Sequence, residues 1–408
     1  MAEPKLRSFR IQAHSKLIPT VCALLKAEGY RFCQEPFSPY CFRLEYEPKA
    51  LGSSLAAFFG YIYIQDRSSM LPPLALAPSP EEAVLDICAS PGSKTSFLGQ
   101  LKQQQGLVLA NEPNPKRLAT LRANLHRLNL YNCATCSYEG HKLPLMAGSW
   151  DAILLDPPCS GWGTVEKNPK VLQIWSGDNI KRLTSLQRAL LRKAYELLKP
   201  GGRLLYSTCT TNSAENEEQV RFACDTLGFV CRALTPLPGF VFDEPYPGTL
   251  LVNGDASKAQ GFFLALLSKS AQEPVTEHAV AKIRVPGYEV TVPYELPEGR
   301  TVAIHDNVFF LPKLTGKVLP EALIWRGALL GSLKGGTFQP DSRRKPFALT
   351  RPNPETDLLL TDPREITALL SGQTRQSTLH SKEAMLFFQD LPLGQVSIKN
   401  GRIVASFR

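Results

Sequence analysis

Between residues 84 and 228 the chain repeats one cadence: a short apolar run, a turn, then apolar positions every three or four residues. VLDIC (84–88) has the pattern of a buried strand, and KTSFLGQLKQQ (94–104) that of a helix. LVLANE (107–112) and PKRLATLRANLHRLN (115–129) repeat the pair, and a further strand is expected to end in NCATCSYEG (132–140). DAILLD (151–156) is a strand, followed by the long helical pattern LTSLQRALLRKAYELL (183–198), stopped by Lys199-Pro200-Gly201-Gly202. RLLYST (203–208) and SAENEEQVRFACDTLG (213–228) complete the series. This alternation predicts an α/β fold, a parallel sheet covered by helices, over 71–270. GFVCRAL, GFVFDE and GFFLALLSK close it as strands.

The flanks have other rhythms. SFRIQA (8–13) is a short strand. In SKLIPTVCALLKAEGY (15–30), Leu17, Val21, Leu24 and Leu25 share one helical side, with Gly29 as a stop. CFRLEYE (41–47) alternates, SSLAAFFG (53–60) is a helical turn, and YIYIQDRSSM (61–70) is a strand. Residues 1–70 therefore form a small α/β unit. AQEPVTEHAVAKIR (271–284) is polar and unpatterned, as a linker is. Residues 285–408 are mostly β, ending in a hairpin around Asn400-Gly401.

Composition adds a partner. With 408 residues, 43% apolar and 20% charged, the chain can bury full cores. Its net charge is +9 and its pI about 9.0, which favours an anionic partner. The excess is positive in 1–70, 71–274 and 275–408 alike, so folded surfaces rather than a tail would grip a polyanion. The ten cysteines form no dense framework. The first residues carry no apolar signal segment, and no apolar run approaches the roughly 20 residues that cross a bilayer. A cytoplasmic protein with reduced thiols is expected. Cys133 and Cys136 form a CxxC with no second pair, so no metal is expected.

Two constellations carry chemistry. The first follows VLDIC: a turn over Cys88, Ala89, Ser90, Pro91, Gly92, Ser93 and Lys94 that leads into a helix. Gly92 permits a tight turn, but the glycines are too few to wrap a diphosphate, and neither a Walker loop nor GxGxxG is present. Glu112 ends the next strand, at an offset where an acid can accept from both hydroxyls of a ribose. Glu139 follows the third strand. A glycine turn with carboxylates at two strand tips fits adenosine without phosphate, and S-adenosylmethionine has that form.

The second constellation is Asp156-Pro157-Pro158-Cys159 after DAILLD and Ser207-Thr208-Cys209-Thr210 after RLLYS. Where amino-group methyltransferases place a stacking aromatic after Asp-Pro-Pro, this chain has Cys159. Carbon 5 of a pyrimidine becomes nucleophilic only after a thiolate adds at carbon 6, and an acid must then meet the charge at N3. Asp156 suits that task, and a second thiol or another base would help remove the carbon-5 proton and release the product. Two cysteines and an aspartate at two strand tips meet this demand.

These residues resemble the RNA 5-methylcytosine methyltransferases of the Nol/Nop/Sun type. CASPGSK (88–94) is similar to that family's cofactor loop, DPPCSG (156–161) and STCT (207–210) to its two cysteine motifs, and YIQDRSSMLP, with Gln65 and Asp66, to the segment before its fold. The resemblance implies a Rossmann-like class I S-adenosylmethionine-dependent core. It implies that Cys209 attacks carbon 6, Cys159 assists release, Asp156 contacts base and cofactor, and Lys94 helps hold the base and the carboxylate. Glu112 becomes the ribose acid, and Glu139 stands where the family usually has an aspartate facing the adenine side. GALLGSLKGGTFQPD and the last hairpin look like the PUA-like barrel of bacterial ribosomal RNA members, which makes Lys334, Phe338, Arg343, Arg344 and Lys345 candidate RNA contacts. The implied function is cytosine-5 methylation of RNA, ribosomal RNA first and transfer RNA as the alternative, by a monomer. A non-catalytic RNA-binding assembly factor is the rival from another class.

Overall fold

A computed structural model describes residues 7–164, 178–272, 287–293, 295–313, 319–320, 323–347, 349, 351–405 and 407. Most of the expected linker, from 273 onward, lies outside them.

The N-terminal unit is an antiparallel sheet of β1 (Ser8–Ile11), β2 (Arg31–Gln34), β3 (Cys41–Tyr46) and β4 (Ile62–Ile64), in the order β2-β3-β1-β4. Helix α1 (Ile18–Ala27) buries Val21, Leu24 and Leu25 against it, together with the short α2 (Leu55–Phe58). The strand expected over 61–70 stops at Ile64. Asp66 Oδ1 accepts from Ser68 N at 3.1 Å and from Ser68 Oγ at 2.8 Å. Such a turn competes with extension, and a 3-10 turn, Ser68–Met70, and helix α3 (Leu71–Leu76) follow.

The central sheet starts with β5 (Ala83–Asp86). Helix α4 (Ser93–Leu101) leads to β6 (Leu107–Asn111), and α5 (Pro115–Arg127) leads to β7 (Cys133–Cys136). The chain then crosses back to β8 (Trp150–Leu155), beside β5. Helix α6 (Asp178–Leu197) leads to β9 (Leu198–Thr208), and α7 (Glu217–Leu227) follows. Strands β5 to β9 pair in parallel. Their apolar residues, Val84, Leu109, Ile153 and Leu205 among them, are fully buried because helices cover both faces. The Lys199–Gly202 stop is drawn into β9, where four residues bulge out between Leu198 and Arg203. Gly201 supplies the left-handed turn, and Lys199 Nζ meets Asp151 Oδ1 at 2.6 Å.

An antiparallel edge completes this side. β10 (Val230–Arg232) and β12 (Leu250–Val252) pair with β13 (Phe262–Ser268), β11 (Phe242–Asp243) pairs with β12, and β13 pairs with β9.

Residues 288–404 hold two further five-stranded sheets. The first contains β14 (Tyr288–Glu289), β15 (Gly299–Ile304), β16 (Asn307–Pro312), β18 (Ala328–Lys334) and β19 (Thr337–Pro340). Between β16 and β18, β17 (Trp325–Arg326) leaves it and extends the central sheet, with Trp325 opposite Cys136. The second contains β20 (Leu358–Leu360), β21 (Arg375–Gln376), β22 (Glu383–Phe388), β23 (Leu391–Lys399) and β24 (Arg402–Val404), with α8 (Pro363–Leu370). Asn400 and Gly401 have φ of 50° and 70° between β23 and β24, as a two-residue hairpin requires. Among the described residues no helix is long and apolar enough to cross a membrane.

Candidate active site

The crossing from β7 back to β8 leaves a crevice at the carboxyl ends of β5 and β8, where open α/β sheets bind ligands. Both constellations meet there.

The 88–94 loop leaves β5. Gly92 has φ 103°, and a Cβ on it would lie 2.9 Å from Leu121 Cδ1 of α5. Helix α5 also pins the loop by hydrogen bonds: Arg117 Nη2 donates to Ser90 O at 3.0 Å, Ser90 Oγ to Arg117 O at 3.0 Å, and Asn124 Nδ2 to Pro91 O at 2.9 Å. Ala89 is buried, Pro91 is exposed, and Cys88 and Ser93 lie between. Burial pushes the Cys88 thiol well above its ordinary range, so it stays neutral. Glu112, 3% exposed, follows β6. Its Oε1 accepts from Asn114 N at 2.9 Å, and its Oε2 lies 3.4 Å from Arg117 Nε. Glu139 is exposed on a short turn beyond β7, with Lys142 Nζ at 2.6 Å and His141 at 3.7 Å.

The two cysteine turns face each other across β8 and β9. Cys159 and Cys209 are both free, with their sulfurs 3.2 Å apart. The hydrogen bond from Cys159 lowers the Cys209 thiol, with Lys94 helping, against burial and the nearby Asp156 charge. The same bond, with burial, raises Cys159 well above its ordinary range. The two directions are opposite, so Cys209 is the more readily ionised of the pair, and either sulfur can donate the hydrogen bond between them. Lys94 Nζ lies 2.6 Å from Asp156 Oδ2 and 5.4 Å from the centre of the Phe262 ring. Burial opposes the charge on Lys94, but Asp156 outweighs it and holds the ammonium above its usual value. Ser207 Oγ donates to Asp156 Oδ1 at 3.1 Å. The arrangement is two free thiols in contact, next to a lysine–carboxylate pair, which can offer a sulfur nucleophile with acid–base groups at hand.

The family model described as 16S rRNA methyltransferase RsmB/F matches residues 73–268. A solved methyltransferase homolog protein from Pyrococcus horikoshii is 34% identical, with a TM-score of 0.56, over 65% of this chain and 87% of that one. The chain belongs to the RsmB/F methyltransferase family. A relative from Shewanella loihica, named Ribosomal RNA small subunit methyltransferase F, is 36% identical over 283 residues, 67% of this chain. The chain spans 58% of that relative's length. The solved NSun6 from Pyrococcus horikoshii with SFG shares the fold, with TM-score 0.58 at 21% identity over 66% of this chain and 91% of that one.

Not all sequence candidates of this RsmB/F family member reach the crevice. Lys334 is exposed at the end of β18, and Phe338 is half-buried in β19. The Arg343–Lys345 run, expected to face RNA, is instead a seam between sheets. Arg343 lies 5.2 Å over the Phe58 ring. Arg344 is 5% exposed and donates from Nε to Leu329 O at 2.6 Å. Lys345 is 9% exposed, donates from Nζ to Phe59 O, and lies 4.0 Å over Tyr61. All three cationic heads lie over aromatic rings, and those of Arg344 and Lys345 also donate to backbone carbonyls.

Other site residues escaped the sequence reading. Asn111, buried at the end of β6, donates from Nδ2 to Ile87 O and Tyr138 O, tying three strand tips together. Burial pushes Asp86 up to about 7, although Thr95 Oγ1 donates to it at 2.6 Å. The signal for both was a polar residue inside an apolar strand pattern, which alternation rules treat as noise. Cys133 and Cys136 are buried strand residues, and among the described residues no His, Cys, Asp or Glu cluster could hold a metal.

Proposed function

We propose that this protein is an S-adenosylmethionine-dependent RNA cytosine-5 methyltransferase acting on ribosomal RNA. The observation that carries the reading is the contact of the Cys159 and Cys209 sulfurs, 3.2 Å apart, beside the Lys94–Asp156 pair. The donor set at the first constellation fits adenosine: a buried acceptor-only carboxylate at Glu112 suits ribose hydroxyls, and the loop carries too few glycines for a diphosphate. When bound, S-adenosylmethionine supplies an electrophilic methyl group.

The chain's own residues do the rest. The target cytosine leaves its stack, at a cost of a few kcal/mol. The Cys209 thiolate adds to carbon 6, and the ring electrons move toward N3. Asp156 is the carboxylate of an ion pair, so it first takes a proton from the Lys94 ammonium, 2.6 Å away, and hands it on to N3. After carbon 5 has taken the methyl group, a base removes its proton. The carbon 6–sulfur bond then breaks, its electrons return to Cys209, the Cys159 S–H hydrogen-bonds that leaving thiolate, and the N3 proton goes back through Asp156 to Lys94. The N-terminal unit and the C-terminal sheets would grip RNA, in keeping with the positive charge of each region.

Tritiated methyl donor, offered with ribosomal subunits, naked ribosomal RNA and transfer RNA, tests this. Label recovered as 5-methylcytosine in ribosomal RNA is expected, with none for Cys209→Ala. Label in transfer RNA alone would reassign the substrate. No label and no donor binding by calorimetry would favour a non-catalytic assembly factor.

A further inference from the structure

Beneath the two thiols lies a buried acid that the reaction above does not use. Glu215 ends the 3-10 turn Ser213–Glu215, after the Cys209 turn and before α7, and is 0% exposed. Among the described residues no cation pairs with it. Its carboxylate instead accepts four hydrogen bonds: from Ser160 Oγ at 2.5 Å, Ser160 N at 3.0 Å, Gln187 Nε2 at 3.1 Å and Asn212 Nδ2 at 3.2 Å. Burying a carboxylate without a counter-ion is costly even when it is well bonded. Glutamine has the same shape but only one acceptor oxygen for the four donors that converge here, so the carboxylate calls for a reason.

The donors supply one. Ser160 follows Cys159, and Thr210 follows Cys209. Their hydroxyl oxygens lie 2.8 Å apart, directly bridging the two cysteine turns. An ionised carboxylate only accepts, so the Ser160 proton goes to Glu215. Thr210 must then be the donor to Ser160, and its own oxygen is left to accept from Asn212 N at 3.2 Å. The accepting carboxylate thus orders a chain from Thr210 through Ser160 to Glu215. Gln187, held by the same carboxylate, also donates to Pro158 O at 3.0 Å. The residues on both sides of Cys159 and the residue after Cys209 are therefore tied to one acceptor.

We propose that Glu215 is a positioning residue that fixes Cys159 against Cys209, so that the Cys159 proton points at the attacking sulfur. This rests on the reading of the two thiols given above.

Glu215→Gln keeps the shape but offers one acceptor oxygen and brings an NH2 group to face donors. Methyl transfer is expected to fall on the order of 10²-fold, the penalty of a misplaced reacting group, with KM for the methyl donor unchanged. A protein–RNA adduct resistant to denaturation should accumulate, as release loses its aligned S–H. The pH at which single-turnover adduct formation is half-maximal should move up, because Cys209 loses the bond that favours its thiolate. Ser160→Ala should move the adduct yield and the pH midpoint the same way, less far, and it decides the matter if Glu215→Gln does not fold. A folded Glu215→Gln, or failing that Ser160→Ala, with wild-type rate, midpoint and adduct yield overturns the role of Glu215. If Cys209→Ala is inactive in the same assay, the thiol reading survives that result. If Cys209→Ala still methylates, the thiol reading itself is lost.

Discussion

At the residue scale, chemistry depends on an inequality between two like groups. Cys159 and Cys209 have the same side chain in similar turns, yet one contact of 3.2 Å drives their proton affinities apart. Replacing Cys159 by alanine removes the largest influence lowering Cys209. Two outcomes are expected. The adduct between Cys209 and RNA should persist, visible as a slowly migrating band on a denaturing gel, because release loses its partner. Adduct formation should also need a higher pH. The rate rises as Cys209 ionises, so a lower thiol pKa places that rise at lower pH, and loss of the hydrogen bond moves it back toward the ordinary thiol value near 8.5. Single-turnover rates from about pH 6 to about pH 10 check this. A midpoint unchanged from wild type would mean that Lys94 alone sets the thiolate.

At the element scale, strand tips aim the chemistry and helices lock it. Gly92 is the clearest case, because α5 leaves no room beside it. An alanine there meets Leu121 Cδ1 at 2.9 Å while holding φ 103°. Left-handed backbone costs a residue with a Cβ roughly 1–2 kcal/mol, so Gly92→Ala should weaken donor binding about tenfold, measured by calorimetry, while the Cys209 thiol still reacts normally with a small alkylating agent. Gly92→Ala combined with Leu121→Ala relieves the contact but not the backbone strain, so recovery should be partial. The same elements explain how far the sequence could be read. Strands β5, β6, β8 and β9 were legible because burial on both faces writes a near-continuous apolar run. The cysteine turns were legible because a thiol among hydroxyls is rare at a strand tip. Glu215 was not. Ser213-Ala214-Glu215 reads as the polar start of a helix, and only the folded chain brings Glu215 under Ser160. The bulge at 199–202 was hidden too, since Pro-Gly-Gly after a helix looks like a stop whether or not the next strand reaches around it.

At the scale of the whole molecule, the two ends of the chain close on each other. Leu360, Ile366, Leu386 and Phe388 from the last sheet share one core with Phe9, Val21 and Leu24. Thr20 Oγ1 donates to Asp390 Oδ1 at 2.5 Å, and β17 adds a strand beside β7. Local periodicity carries no record of such long-range seams, which is why Arg343–Lys345 read as a basic loop. The seam makes a stability prediction. Burial lowers Lys345 to about 7, and Arg344 and Arg127 press in the same direction. In the unfolded chain the same amine titrates near its ordinary value of about 10.4. The unfolded state therefore holds more protons between these two values, and the contribution of Lys345 to stability rises with pH across that window. Below pH 7 its full penalty applies, at about 1.4 kcal/mol for each tenfold loss of proton affinity on folding. Above about pH 10.4 the amine is neutral in both states and the penalty is gone. Lys345→Met keeps an apolar stem over Tyr61 and removes the charge, at the loss of one hydrogen bond to Phe59 O. It should raise the unfolding midpoint at pH 6 by an amount worth several kcal/mol, and the gain should shrink steadily toward pH 10. A gain of the same size at both ends of the range would mean that packing, rather than the buried ammonium, limits the stability of this seam.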